Sequence, residues 1–159
     1  LYSVPKYTGV RLTPETVAEL ATHPNIAGVK DSSGDIGAFV RICRRTADEE
    51  FDPMIGSGSV LAQALDAGAT GGVLALANIA PQHATSVLDT HTDDPAAARA
   101  AAADLVELNH AVTAGHGVAG LKYAMRQRGA PAGGVRSPHQ PADDEARDRL
   151  DALVDGLDT

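Results

Sequence analysis

The sequence predicts an α/β fold: about four parallel strands alternating with helices, which amounts to half of a (β/α)8 barrel, followed by a purely helical region. Three observations carry this. Short apolar runs alternate with amphipathic stretches through about residue 93, the β–α order of a parallel sheet with crossover helices. From Asp94 onward only helical patterns remain. The 159 residues are 43% hydrophobic, enough for a real core. The expected division is therefore a half barrel over 1–93 and a helical region over 94–159.

The elements follow in order. Leu1-Tyr2-Ser3-Val4-Pro5 reads as the tail of a strand already under way, so further sequence is expected before it. Thr13-Pro14-Glu15 supplies an N-cap and a proline at the first helical position, for a helix reaching about residue 22. Ile26-Ala27-Gly28-Val29-Lys30 is a short apolar run ending in a charge, a buried strand. Asp35 caps a helix from 36 to about 47, with Phe39, Val40 and Cys43 on one face. Residues 51–55 resemble a strand weakened by Pro53. Ser57 or Ser59 opens a helix ending near Gly68, residues 71–76 read as another buried strand, and a helix follows Pro81. Beyond 94 the expected helices are 95–112, 118–128 and 141–157, with a Gly- and Pro-rich loop over 129–140.

Composition excludes several functions. The net charge of −8 leaves no basic stripe for nucleic acid. No apolar run has membrane-spanning length, so no membrane partner is expected. Cys43 is the single cysteine, which fits a reducing, cytoplasmic setting. Lysine occurs only at Lys6, Lys30 and Lys122, a pattern that suits either high salt or a GC-rich genome. The six histidines show no H-x-x-x-H or H-E-x-x-H spacing and read as helix-end or surface positions, so no metal site is expected.

Lys30 ends an apolar strand, where α/β barrels place catalytic groups. An amine partly stripped of water there is freed to attack a carbonyl, and the resulting iminium withdraws electrons from a neighbouring carbon–carbon bond. By pattern alone, a strand-end lysine reaching solvent is the commoner case. Tyr2 ends the preceding strand; its phenol either relays a proton from the same barrel face or is a rim tyrosine. Asp31-Ser32-Ser33-Gly34 either binds substrate through its hydroxyls or turns the chain. Gly56-Ser57-Gly58 and Gly71-Gly72 fit a phosphate corner, but tight turns explain them as well.

Two motifs carry a resemblance. Leu1-Tyr2-Ser3-Val4-Pro5, followed by Thr8-Gly9, is similar to a Y-N-V-P-x-x-T-G segment. Gly28-Val29-Lys30-Asp31-Ser32-Ser33-Gly34-Asp35 is similar to G-[IV]-K-[DE]-x-[ST]-G-D. Both segments belong to the dihydrodipicolinate synthase and N-acetylneuraminate lyase superfamily, and their order and separation also fit. Gly72-Val73 with Ala77-Asn78-Ile79-Ala80-Pro81 resembles that family's last barrel strand, and Asn109, the stretch 118–122 and Pro138 fall in its helical region. The resemblance covers essentially the whole chain and implies the second half of a TIM (β/α)8 barrel.

It also implies roles. Lys30 forms an imine with pyruvate or a related 2-oxo acid, Tyr2 relays the proton, and Val73 offers backbone contacts near the keto acid. No cofactor is implied, and a homo-oligomer (dimer or tetramer) is. A G-T-T-G-E-like segment and a tyrosine lent by a neighbouring subunit have no counterpart here and are expected in the preceding sequence. Synthases carry an arginine where this chain has Tyr7. With Ser32, which then contacts the substrate hydroxyl or distal carboxylate, this points to 4-hydroxy-2-oxoglutarate aldolases. Dihydrodipicolinate synthase, 2-keto-3-deoxy sugar-acid aldolases and an inert ligand-binding relative are the alternatives.

Overall fold

A computed structural model describes residues 1–158. Four strands, β1 (Tyr2–Ser3), β2 (Gly28–Asp31), β3 (Asp52–Ile55) and β4 (Gly71–Gly72), form one parallel sheet in the order β1-β2-β3-β4. Tyr2 pairs with Lys30, Lys30 with Met54, and Met54 with Gly71, so one row runs across the sheet. The alternation of a strand then sorts the two faces. Ser3, Val29, Asp31, Pro53 and Ile55 are buried on the outer face, beneath the helices. Tyr2, Lys30 and Met54 share the opposite face, which would be the interior of a barrel.

The connections are local in origin. Helix α1 (Pro5–Thr8) is a single turn after β1, closed by Gly9 in the left-handed region. In α2 (Pro14–Ala21), the Thr13 hydroxyl accepts the Thr16 N–H at 3.2 Å, and Val17 and Ala21 face inward. In α3 (Ile36–Arg45), the Asp35 carboxylate accepts the Ala38 N–H at 2.9 Å. The buried face of α3 is Phe39, Ile42 and Cys43, not Val40, which is 36% exposed. The i, i+3, i+4 spacing explains this, since residue 40 lies a third of a turn away from 39.

Two expected elements change. The strand over 71–76 stops after two residues; Val73 still donates its N–H to the Ile55 carbonyl at 2.9 Å, and the chain then curls into a 3-10 turn, Leu76–Asn78. Leu74 and Leu76 are buried and Val73 is exposed, the same sorting that a strand would give, so the side chains alone do not mark where the sheet pairing ends. Between β3 and β4 lie a 3-10 turn, Gly58–Val60, and α4 (Leu61–Asp66). The single helix over 95–112 is divided into α6 (Pro95–Asp104) and α7 (Val106–His110), followed by a π-helical turn, Ala111–Gly115. Leu105, Leu108, Asn109 and Val112 all turn inward across the division, at the i, i+3, i+4, i+7 spacing of one helix face. Helix α5 (Pro81–Asp93) precedes it, α8 (Gly117–Gln127) follows it, and α9 (Asp144–Asp155) begins at an Asp143 cap, later than Pro141.

One apolar cluster joins both parts of the chain. It runs from Phe39 and Ile55 through Leu76 and Val87 to Leu108, Leu150 and Val154. A smaller cluster of Val17, Ala21, Val29, Ile42 and Phe51 seals α2 and α3 onto β2. The histidines are less superficial than their spacing suggests. His91 lies 2.9 Å from Asp66, and His83 is half-buried with one ring nitrogen 3.1 Å from the Leu157 carbonyl.

Candidate active site

The open face of the sheet, the first turn after β1 and the helical region border an open cavity of about 310 Å3. Tyr2, Tyr7, Lys30, Ser32 and Val73 all line it, whereas Asp31, Ser33, Ser57, Gly58, Gly71 and Gly72 do not. The Tyr2–Lys30 pairing of β1 and β2 sets the amine over the phenol ring, 4.6 Å from its centroid. Half-buried Lys30 is thereby held on the aromatic face, and it lines the cavity.

The loop after β2 separates two serines by role. The buried Asp31 carboxylate accepts the Ser33 N–H at 3.1 Å and the Ser33 hydroxyl at 2.9 Å. The Ser33 oxygen in turn accepts the Asp35 N–H at 3.2 Å. Ser33 is thus used up in shaping the turn, and Ser32 is the hydroxyl left on the cavity. Asp35 also pairs with Arg11 at 2.6 Å; the Ala38 N–H, and after it Arg11, hold its carboxyl below the usual range.

The glycines of residues 56–58 have packing reasons. Gly56 donates its N–H to the Asp31 carbonyl at 2.7 Å, and a Cβ on it would sit 1.9 Å from Ser32 Oγ. Gly58 lies against buried Asn109, where a Cβ would be 2.7 Å from Asn109 Oδ1. Asn109 Nδ2 donates to Ser59 Oγ at 2.7 Å, tying α7 to the 3-10 turn after β3. The π-helical turn that follows brings Val112, Thr113 and Ala114 onto the cavity. Thr113 Oγ1 donates to the Asn109 carbonyl at 2.6 Å, which leaves its oxygen free to accept.

The chain matches the family model of the dihydrodipicolinate synthetase family over residues 1–157. It belongs to that family. As a dihydrodipicolinate synthetase family chain it is 38% identical over 153 residues to an uncharacterized DapA-like lyase of Halobacterium salinarum, covering 96% of this chain and 50% of that protein. It is 35% identical over 151 residues to a 4-hydroxy-tetrahydrodipicolinate synthase of Methanoculleus marisnigri, covering 94% and 52%. A Thermus thermophilus crystal structure assigned to dihydrodipicolinate synthase superposes with a TM-score of 0.88 at 38% identity, over 99% of this chain and 55% of that one. The YagE prophage protein of Escherichia coli K12, solved in complex with pyruvate, gives a TM-score of 0.89 at 28% identity, over 99% and 55%. The chain spans about half the length of the curated relatives it matches. Its fold is accordingly that of half a TIM barrel with helices, as the sequence predicted.

Sequence reasoning missed two parts of this family chain's cavity. Thr113 and its neighbours on the helical wall carry no local signal, because a π-helical turn and a tie 50 residues away place them. Lys6 also lines the cavity. Its signal was visible: it is one of only three lysines and stands directly beside Tyr7.

Proposed function

We propose that the intact protein is a Schiff-base aldolase or lyase acting on pyruvate-derived 2-oxo acids, with reversible cleavage of 4-hydroxy-2-oxoglutarate or a close 4-hydroxy-2-oxo acid as its reaction. The observation that carries this is the Lys30 amine over the Tyr2 ring, at the edge of a cavity large enough for a small acid. Family membership and the pyruvate complex of YagE support it.

In this reading Lys30 Nζ attacks the C2 carbonyl, and loss of water leaves an iminium. Tyr2 relays the proton away from the C4 hydroxyl, the C3–C4 bond breaks, and its electron pair settles at C3 as an enamine. The C4 fragment leaves as an aldehyde. Protonation at C3 and hydrolysis then release pyruvate and free Lys30. Ser32 and Tyr7 each offer one neutral hydrogen bond to the hydroxylated part of the substrate. The Val73 N–H is committed to Ile55, so the backbone group it offers is its carbonyl. The half barrel of 1–93 supplies the chemistry and the helical region of 94–159 one wall of the site. A homo-oligomer supplying a further side chain belongs to the same proposal. Among the described residues no helix is long and apolar enough to cross a membrane.

Pyruvate plus borohydride should add mass at Lys30 of the intact protein, and Lys30→Ala should abolish the adduct; a normal adduct in that variant overturns the reading. An inert, ligand-binding relative would give no adduct in either. A second reading, 4-hydroxy-tetrahydrodipicolinate synthase, is favoured by the name of the Methanoculleus relative. Tyr7 weighs against it, because it stands where synthases carry an arginine, and a phenol cannot reproduce that residue's planar fork. The ratio of kcat/KM for the two reactions decides: a synthase value equal to or above the aldolase value reverses the assignment and leaves Lys30 in place.

A further inference from the structure

Of the three lysines in the chain, two line one cavity: Lys30 on β2 and Lys6 on α1. The third, Lys122, is taken up by the Gly134 carbonyl at 2.8 Å. The cavity has no aspartate or glutamate among its lining residues, although the chain carries 21 acidic residues against 13 basic ones. Elsewhere some of the acids find partners: Asp35 pairs with Arg11, Asp66 with Arg99 and His91, Glu15 with Arg41 and Arg45. Lys6 makes no ion pair among the described residues. Its amine lies 5.7 Å from the centroid of the Tyr7 ring, just as Lys30 lies over Tyr2. The site therefore has two lysine–tyrosine pairs, and only one of them is needed for chemistry at a keto carbon.

We propose that Lys6 recognises a second carboxylate, so that the cavity takes 2-oxo dicarboxylates with the keto carbon at Lys30 and the distal carboxylate at Lys6. This deepens the Schiff-base reading and rests on it. Lys6 is exposed, so water screens its charge, but no carboxylate of the protein competes with an anion for it. Because an ammonium is a point charge and not a planar fork, Lys6 selects for the presence of the distal charge more than for its orientation. It thus serves a flexible, hydroxylated diacid without reproducing the bidentate capture that an arginine at position 7 would give.

The test is borohydride capture on the intact protein, read by mass at Lys30, with 2-oxoglutarate and with 2-oxopentanoate, in which a methyl replaces the distal carboxylate. The wild type should reach half-maximal labelling at a lower concentration of 2-oxoglutarate. Lys6→Met should raise that concentration about 5-fold, the upper scale of an ion pair open to water. The 2-oxopentanoate value should stay within about 2-fold, and Lys6→Arg should restore most of the preference. An equal change for both acids in Lys6→Met, or no change in either, overturns the role of Lys6 while leaving Lys30 intact. No labelling of the wild type by any 2-oxo acid would remove the Schiff-base reading and this inference with it.

Discussion

Replacing Gly56 by alanine tests how tightly the ends of β2 and β3 are fitted around the cavity. The added methyl would lie 1.9 Å from Ser32 Oγ, 2.9 Å from Ser32 Cβ and 3.0 Å from the Asp31 carbonyl oxygen. Turning Ser32 about χ1 relieves only the first contact. The other two involve atoms that cannot rotate away, and the Asp31 carbonyl is also the acceptor of the Gly56 N–H at 2.7 Å. The strand ends must therefore separate, at the ~1–3 kcal/mol typical of overpacking. Urea denaturation of the intact protein should show Gly56→Ala losing stability in that range, with weaker pyruvate labelling at Lys30. In a Ser32→Ala background the hydroxyl contact is gone but the other two remain, so the same change should cost less by at least ~0.5 kcal/mol. Equal costs in the two backgrounds, or no cost in the wild type, would refute the packing argument and with it the placement of Ser32 against Gly56.

Other consequences follow from single contacts. Tyr2→Phe should lower kcat by roughly 10²–10⁴-fold, the scale of a positioned acid–base group; a rise in KM alone would make Tyr2 a binding residue. Asn109→Ala leaves Ser59 without its partner and should cost ~1–3 kcal/mol in urea; an unchanged midpoint would mean that apolar packing alone holds α7 to the 3-10 turn. Burial pushes the Cys43 thiol up to about 11, from an ordinary 9.0. The folded chain then holds that proton more tightly than the unfolded one, so the stability tied to it is complete below the ordinary value and is lost as pH climbs toward about 11. Melting temperatures should accordingly fall faster over that window in the wild type than in Cys43→Ala, and parallel curves would contradict the burial of the thiol.

The sequence by itself determined what depends on neighbours within a few positions. Thr13 and Asp35 announce their helices because a cap needs only an oxygen three residues before an unpaired N–H. Lys30 and Tyr2 stand out because each sits in a distinctive run, and the strand pairing makes them neighbours. The alternation that buries Val29 and Asp31 while turning Lys30 to the open face is likewise a property of the strand alone. The tertiary structure decided the rest. Residues 71–76 read as a strand because they are apolar, and the burial of Leu74 and Leu76 suits a strand as well as the observed curl, so nothing local marks where the pairing stops. A period of 3.6 cannot register the division of the helix at Leu105, because the inward-facing spacing continues across it. Lys6 and Thr113 acquire meaning only when the chain folds back, with Asn109 reaching Ser59 across 50 residues to close the wall of the cavity. Caps and alternation are written in local geometry, whereas a cavity is made by contacts between segments distant in sequence, and no short window of sequence contains both of its sides.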